Sequence, residues 1–124
     1  MIQTIAIASG GAVGALMRFW VSNWTYQLFG RNFPYGTLMV NIIGSLLMGF
    51  LFVWLTERAA VSAEWRGVIL VGFLGAFTTF STFSMETFNL IQGGELGKAL
   101  LNILLSIVLC LVATWMGVIA GRQI

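Results

Sequence analysis

The sequence has no histidine, one cysteine, one proline and few charged residues. Charged residues make up 8% of its 124 residues and its mean hydropathy is +0.96, whereas a soluble domain carries roughly 25% charged residues. Without histidine or a second cysteine, the chain cannot form an internal disulfide, a histidine-based metal site, or a Ser–His or Cys–His dyad. A net charge of +2 is too small for a nucleic-acid-binding surface. We therefore expect an integral membrane protein that is not an enzyme.

Four apolar stretches are long enough to cross a bilayer, which takes about 20 mostly apolar residues as an α-helix. They lie at about residues 2–24, 35–55, 65–92 and 98–120, and paired glycines at 93–94 close the third. The pattern predicts an all-α membrane protein with one four-helix domain over residues 1–124. The N-terminus carries no basic region, so we expect no cleaved signal peptide.

The distribution of basic residues hardly selects an orientation. With four spans, one side of the membrane has Arg58, Arg66 and Arg122, and the other has Arg31, Lys98 and, close to that side, Arg18. The positive-inside rule cannot decide on so small a difference. Two interpretations stay open: a single weakly preferred topology, or dual topology with two chains paired as an antiparallel homodimer. The small size favours the second, because four packed helices fill their own centre and leave a route for a solute only between chains.

Small residues recur at the four-residue spacing that allows helices to approach closely. Gly10 and Gly14 have this spacing in the first span, as do Gly117 and Gly121 in the fourth. Packing within one chain and packing between two chains both stay open.

The third span contains an unusually polar stretch near its middle. Residues 72–84 read GFLGAFTTFSTFS, in which five of the last seven residues carry hydroxyls. Gly75 and the β-branched Thr78 and Thr79 weaken a helix, and a broken helix at membrane depth is tolerated only in a protein interior or an aqueous cavity. Its freed carbonyls suit a small hard cation, while the N-terminus of the next half-helix favours an anion.

Phenylalanines alternate with these hydroxyls. Phe77, Phe80 and Phe83 share one face of a helix, a spacing that by itself is typical of core or lipid-facing residues. Their interleaving with Ser81 and Thr82 adds hydroxyl donors to the positive edges of the rings, which would suit a small anion that sheds its water. The alternative for the hydroxyls is hydrogen bonding to carbonyls four residues earlier.

Other polar residues in the spans allow two interpretations each. Asn41 is either a clamp between helices or a donor in a pore. Arg18 either anchors its helix by snorkelling or attracts anions to a vestibule, and Glu86 pairs with an arginine or supports another residue. The fourth span has small polar residues at four-residue spacing: Asn102, Ser106, Cys110 and Thr114. They form either a polar track that slants around the helix or isolated polar positions in a packed bundle. Cys110 is interpreted as a small apolar filler.

Along nearly its whole length the sequence resembles the Fluc/CrcB family of fluoride channels. The resemblance rests on Gly10-Gly11-x-x-Gly14-x-x-x-Arg18, on Gly36-Thr37-x-x-x-Asn41-x-x-Gly44, and most specifically on the stretch from Gly72 to Glu86. It implies an antiparallel, dual-topology homodimer in the cell inner (plasma) membrane that conducts fluoride passively out of the cytoplasm and confers fluoride resistance. It also implies a structural sodium ion at the dimer centre, bound by the backbone carbonyls of Gly75 and Thr78. The implied fluoride pathway consists of Phe80, Phe83, Asn41, Ser81, Thr82, Ser106, Thr114 and Arg18.

Two other functions compete with this one. A small dual-topology multidrug or cation transporter would use a membrane-embedded carboxylate, and Glu86 is the candidate within a predicted span. A non-transporting assembly or chaperone-like membrane protein would not need the Thr-Phe-Ser-Thr-Phe run.

Overall fold

The structure, a computed structural model, describes residues 1–59 and 61–124 and is built from helices. In chain order they are α1 (Ile2–Phe29), α2 (Tyr35–Val53) with a π-helical turn (Trp54–Arg58), α3 (Ala63–Arg66), a π-helical segment (Gly67–Leu74), α4 (Gly75–Phe77), α5 (Phe80–Gln92) and α6 (Leu96–Gln123). Four continuous or nearly continuous runs are long and apolar enough to span a membrane: Ile2–Phe29, Tyr35–Arg58, Ala63–Gln92 and Leu96–Gln123. The prediction of four spans is confirmed, and each observed span extends a few residues beyond its predicted bounds.

Glycines end two of the long helices. Gly30 follows α1 with φ of +84° and donates its N–H to the Tyr26 carbonyl at 2.8 Å. Gly94, just after α5, has φ of +77°. This left-handed conformation favours glycine, which has no Cβ. The paired glycines at 93–94 therefore close the third span as the sequence predicts.

The glycine motifs bring helices together within the chain. A Cβ on Gly14 would overlap the Phe73 carbonyl in the π-helical segment, and a Cβ on Gly117 would overlap the Leu46 carbonyl of α2. Close backbone approach of this kind needs small residues. The most extensive helix contacts are those of α2 with α6 and of α1 with the π-helical segment. Both motifs thus serve packing inside one chain.

The outer surface of the bundle is strongly apolar. Leu104, Leu111 and Trp115 on α6 are 60%, 66% and 65% exposed, while Val40 and Leu74 are fully buried. Contiguous exposed apolar surface on this scale is rare in soluble monomers. With four helices of spanning length, it defines a multi-pass membrane protein.

The third span is interrupted near its middle. Thr78 (φ −85°, ψ 160°) and Thr79 (φ −151°, ψ 122°) are extended and separate α4 from α5. A Cβ on Gly44 of α2 would overlap the Thr78 side-chain methyl, so the glycine makes room for the interruption. The π-helical segment before α4 carries no signal in the sequence, and it packs against α1.

Candidate functional site

Asn41 of α2 holds the backbone where the third span is interrupted. In a continuous helix the Thr79 N–H would donate to the Gly75 carbonyl. Here it donates to Asn41 Oδ1 at 2.8 Å, and Asn41 Nδ2 donates to the Thr79 carbonyl at 3.0 Å. Asn41 is therefore a clamp between spans, and the Gly75 carbonyl loses its helical partner.

The start of α5 removes a second helical hydrogen bond in the same way. The Thr82 N–H, which would donate to the Thr78 carbonyl in a continuous helix, donates to Thr79 Oγ1 at 3.2 Å. Thr79 is thus the N-cap of α5, a position that threonine suits. Gly75 and Thr78, the two residues expected to bind a cation, are thus among the residues whose carbonyls lose their helical partners, together with Ala76 and Phe77 at the end of α4.

These two carbonyls fit the donor chemistry expected for sodium. Carbonyl oxygens are ligands for hard cations, and unwound backbone within membrane spans is a recurrent cation site. Gly75 is exposed and Thr78 is half-buried. The Gly75 carbonyl therefore lies on a segment that other molecules can reach. Residues 1–59 and 61–124 contain no cluster of three or more His, Cys, Asp or Glu side chains that could hold a metal ion.

Arg18 of α1 forms a hydrogen bond with α4, just before the interruption of the third span. Its Nε donates to the Ala76 carbonyl at 3.0 Å. A positive charge near the C-terminal end of a helical run is favourable because of the helix dipole. The structure thus gives Arg18 a contact that ties α1 to the third span, which differs from the snorkelling to the membrane interface considered from the sequence.

One cavity gathers most of the predicted pathway. It has a volume of about 330 Å³ and lies between α2, the interruption, α5 and α6. Five of the eight predicted pathway residues line it: Asn41, Phe80, Phe83, Ser106 and Thr114. The remaining lining residues are Gly44, Ser45, Met48, Thr78, Thr79, Ile107 and Cys110. We call this space the first cavity.

The first cavity combines aromatic rings with a hydroxyl that has no partner. The rings of Phe80 and Phe83 have centroids 5.4 Å apart and planes inclined at 45°. Ser106 is only 9% exposed, and its Oγ is buried without a hydrogen-bond partner in the described part of the chain.

A second cavity lies on the other side of the interruption. Its volume is about 300 Å³, and Arg18 and Thr82 line it together with Ala15, Phe19, Ser22, Asn23, Thr37, Val40 and Thr79. Thr79 lines both cavities. Ser81 is on the exposed side of α5, with its Oγ 3.4 Å from Thr79 Oγ1. The eight predicted residues therefore do not line a single space, and Thr79 links the two cavities that hold seven of them.

Hydrogen bonding to carbonyls four residues earlier accounts for part of the hydroxyl run. Thr78 Oγ1 donates to the Leu74 carbonyl at 3.1 Å, and Ser84 Oγ to the Phe80 carbonyl at 3.0 Å. Thr79 Oγ1 donates instead to Thr82 Oγ1 at 3.1 Å. The hydroxyls of Thr79, Ser81 and Thr82 form a local group at the start of α5.

Sequence reasoning overlooked some of the lining. Thr79 was part of the polar run but was not predicted as a site residue, although it links the two cavities. Ser45, one helical turn after Asn41, could have been found from that spacing. Cys110 was interpreted as filler, yet it lines the first cavity between Ser106 and Thr114.

Glu86 contacts a tyrosine rather than an arginine. The Tyr26 hydroxyl donates to Glu86 Oε2 at 3.1 Å, and the Arg31 guanidinium lies 4.5 Å from the centre of the Tyr26 ring. These residues border a separate cavity of about 260 Å³. Glu86 thus lies outside the two cavities at the interruption.

An interrupted span, with a cavity on each side of the break, defines a membrane protein of the class that includes channels and transporters. The family model described as "CrcB-like protein, Camphor Resistance (CrcB)" matches residues 5–118. The chain belongs to this family.

Individual relatives match over nearly the entire chain. A protein of Methylococcus capsulatus, named fluoride-specific ion channel FluC, is 58% identical over 123 residues, which cover 99% of this chain and 54% of that protein. A protein of the same name from Coxiella burnetii is 50% identical over 124 residues, covering 99% of this chain and 100% of that protein. The chain thus spans about half the length of the first relative and the whole length of the second.

Proposed function

We propose that this chain forms a fluoride-selective channel that lets cytoplasmic fluoride leave passively and so confers fluoride resistance. The observation that carries the proposal is the first cavity, where two phenylalanine rings, the Asn41 amide and the unpartnered Ser106 hydroxyl meet. The printed name of the relatives, fluoride-specific ion channel, supports fluoride as the ion.

The chemistry of the first cavity suits a small anion. Ring edges of Phe80 and Phe83 offer a weak positive potential, and the hydroxyls of Ser106 and Thr114 can donate hydrogen bonds. One N–H of Asn41 Nδ2 is bound to Thr79, which leaves the second N–H for the ion. With so few donors, an anion that accepts strong hydrogen bonds and fits a narrow space is preferred over the larger chloride.

Arg18 and Thr82 extend this pathway into the second cavity. The guanidinium is the positive charge there, and its bond to the Ala76 carbonyl uses only one of its five donors. Arg18 thus attracts fluoride toward Thr79 while it anchors the interruption. Ser81, next to Thr79 on the exposed side of α5, adds a hydroxyl at the surface between chains.

We propose that two chains assemble as an antiparallel homodimer of dual topology. Phe80 is 78% exposed, and Ser81, Ser84 and Gly75 are exposed near the middle of the third span. An unpaired carbonyl such as that of Gly75 costs several kcal/mol when it faces hydrocarbon. A second copy would cover this surface, and the balanced basic residues on the two sides favour insertion in both orientations.

A sodium ion at the centre of this dimer is consistent with the freed carbonyls. Gly75 and Thr78 supply two oxygens from each chain, so a symmetric pair supplies four. The ion would hold the two interruptions against each other. The membrane that houses the dimer is the cell inner membrane, where export from the cytoplasm takes place, and lipid surrounds its apolar surface.

The multidrug transporter is less well supported. Its candidate carboxylate, Glu86, accepts a hydrogen bond from Tyr26 and borders a cavity apart from the interruption. The first cavity holds no carboxylate among its lining residues.

A liposome assay tests the proposed function. Purified protein in liposomes loaded with fluoride should release it rapidly, as followed with a fluoride electrode, while chloride-loaded liposomes retain their ion. Chloride release without fluoride release would contradict the proposal, and efflux of a cationic dye driven by a proton gradient would support the transporter instead.

A labelling experiment tests the dual topology separately. A single cysteine in place of exposed Asn32, in a Cys110→Ala background, should react with an impermeant maleimide on about half of the chains from each side of sealed vesicles. Labelling of nearly all chains from one side would contradict dual topology.

A further inference from the structure

The second half of the third span, α5, is held to the rest of the chain at few points. Its start is fixed by the hydrogen bonds between Asn41 and Thr79. Within the described range of α5, residues 80–92, Thr87 alone is buried, and Phe80 is 78% exposed. A helix with so little packing inside its own chain depends on individual contacts for its tilt.

One of these contacts joins the middle of α5 to α1. The Tyr26 hydroxyl donates to Glu86 Oε2 at 3.1 Å, although 60 residues separate the two in the sequence. The Tyr26 ring is itself held in place: a Cβ on Gly36 of α2 would overlap its Cε2 atom, and the Arg31 guanidinium lies 4.5 Å from the ring centre. Tyr26 therefore presents its hydroxyl to Glu86 from a fixed position.

The two fixed points on α5 lie on either side of the aromatic rings of the pathway. Thr79 and Glu86 are about two helical turns apart, roughly 10 Å along the axis, and Phe80 and Phe83 lie between them. Phe83 is one turn before Glu86, which places both on the same side of α5. If α5 tilts about Thr79, a shift at Glu86 moves Phe83 about half as far. The position of Glu86 therefore sets how far the Phe83 ring reaches into the first cavity, which that ring lines.

The bond to Tyr26 differs from the buried contact that α5 makes with α6. Thr87 Oγ1 accepts from Asn102 Nδ2 at 2.9 Å, and the two residues are 7% and 2% exposed, so the surrounding atoms hold Thr87 even without that bond. Tyr26 and Glu86 instead border the separate cavity of about 260 Å³, which gives the Glu86 side of α5 room to move. The hydrogen bond from Tyr26, rather than close packing, therefore fixes Glu86.

We propose that Tyr26 is a positioning residue for fluoride selectivity: its hydroxyl holds Glu86, and Glu86 keeps α5 at the tilt that makes the first cavity too narrow for chloride. Tyr26 is not among the residues that line that cavity, so it acts through Glu86. The inference rests on the proposed function, because it concerns how the pathway excludes the larger anion. In a pathway with few donors this exclusion depends on width, which a small displacement of Phe83 changes.

Tyr26→Phe tests the inference, because it removes the hydroxyl and keeps the ring that packs against Gly36 and Arg31. Liposomes loaded with either fluoride or chloride give the ratio of the two efflux rates. We expect Tyr26→Phe to retain fluoride efflux and to gain chloride efflux, so that the fluoride-to-chloride ratio falls about tenfold.

Variants of Glu86 test whether Tyr26 acts through this carboxylate. Glu86→Leu should lower the ratio as much as Tyr26→Phe, and the double variant should lower it no further, because both changes break the same bond. Glu86→Gln keeps an oxygen that accepts from the Tyr26 hydroxyl and should keep the ratio. A further fall in the double variant would show that the two residues act independently, which would contradict the inference.

Two controls separate position from stability. Tyr35→Phe removes the other tyrosine hydroxyl of the chain and should change neither efflux rate. Thr87→Val should lower the unfolding temperature but keep the ratio, because close packing still holds that side of α5. An unchanged ratio in Tyr26→Phe, or an equal fall in Thr87→Val, would overturn the inference.

Amide hydrogen exchange of α5 gives a readout that does not depend on conduction. Exchange over residues 83–90 should be several-fold faster in Tyr26→Phe than in the unmodified protein, and unchanged in Tyr35→Phe, because exchange reports local opening. Absence of fluoride efflux from the unmodified protein would contradict the proposed function, and faster exchange in Tyr26→Phe would still support the hold on α5. Equal exchange in the unmodified protein and Tyr26→Phe would overturn that hold.

Discussion

Asn41 grips both backbone groups of Thr79: its Oδ1 accepts from the Thr79 N–H at 2.8 Å and its Nδ2 donates to the Thr79 carbonyl at 3.0 Å. One side-chain amide on α2 therefore replaces the hydrogen bond that the Thr79 N–H gives up within the third span and adds a second bond to the Thr79 carbonyl. The same contact releases the Gly75 carbonyl and turns Thr79 toward both cavities. The interruption of the third span is stabilised by another helix rather than by its own residues alone.

Replacement of Asn41 by leucine tests this clamp. Leucine has a similar volume but no polar atoms, so the Thr79 N–H and carbonyl lose their partners at a cost of about 1–3 kcal/mol. We expect a lower thermal unfolding temperature and a marked loss of fluoride efflux. Asn32→Ala, which changes an exposed loop side chain, is the control and should alter neither quantity. Normal efflux by Asn41→Leu would show that the clamp is dispensable.

Gly44 is expected to be essential because of the Thr78 methyl group. In Gly44→Ala the new Cβ would overlap Thr78 Cγ2, which should displace the interruption and abolish efflux. Thr78→Ser removes that methyl while keeping the hydroxyl that donates to Leu74, so the double variant should regain efflux. Gly97→Ala on α6, whose Cβ would meet no atom within 4 Å, serves as control. A double variant as inactive as Gly44→Ala would argue against this steric explanation.

Replacement of both Phe80 and Phe83 by isoleucine removes the edges of the aromatic rings but keeps apolar side chains of similar bulk. If those edges stabilise fluoride in the pathway, efflux should fall about tenfold or more, equivalent to about 1.4 kcal/mol in the barrier. The elution volume in size-exclusion chromatography should not change. Phe88→Ile removes an exposed ring farther along the same helix and should conduct normally. Unchanged efflux by the double variant would refute the role of the rings.

Ser106→Ala should separate function from stability. Its hydroxyl is buried without a partner, so removing it should not lower the unfolding temperature, while the loss of a donor from the first cavity should slow efflux severalfold. Thr87→Val gives the opposite expectation, because Thr87 Oγ1 accepts from buried Asn102 at 2.9 Å and its loss costs about 1–3 kcal/mol. Fluoride electrodes and thermal unfolding measure the two effects. A destabilised Ser106→Ala would indicate a structural hydroxyl.

Removal of sodium tests the carbonyl site. Liposomes prepared with N-methylglucamine in place of sodium should show slower fluoride efflux, because the freed carbonyls of Gly75 and Thr78 would have no cation between them. Re-addition of sodium should restore the rate, and potassium at the same concentration should restore it less because it is larger. Identical rates in all three media would contradict a structural sodium ion.

Local composition was enough to predict much of this molecule. Long apolar runs determine four spans, because backbone groups in hydrocarbon must be paired within each helix. Glycines at 93–94 end the third span, and the dense hydroxyls with Gly75, Thr78 and Thr79 predict its interruption. These are short-range effects of propensity and burial, which a sequence pattern contains directly.

Tertiary structure decided which groups meet at the interruption. No pattern within the third span shows that its displaced N–H binds Asn41, that Arg18 reaches Ala76, or that Thr79 lines two cavities, because each partner lies 38 or more residues away. Cys110 shows the difference most clearly: the sequence determined that the chain has one thiol, and the packing of α2 against α6 decided that Cys110 lines the first cavity.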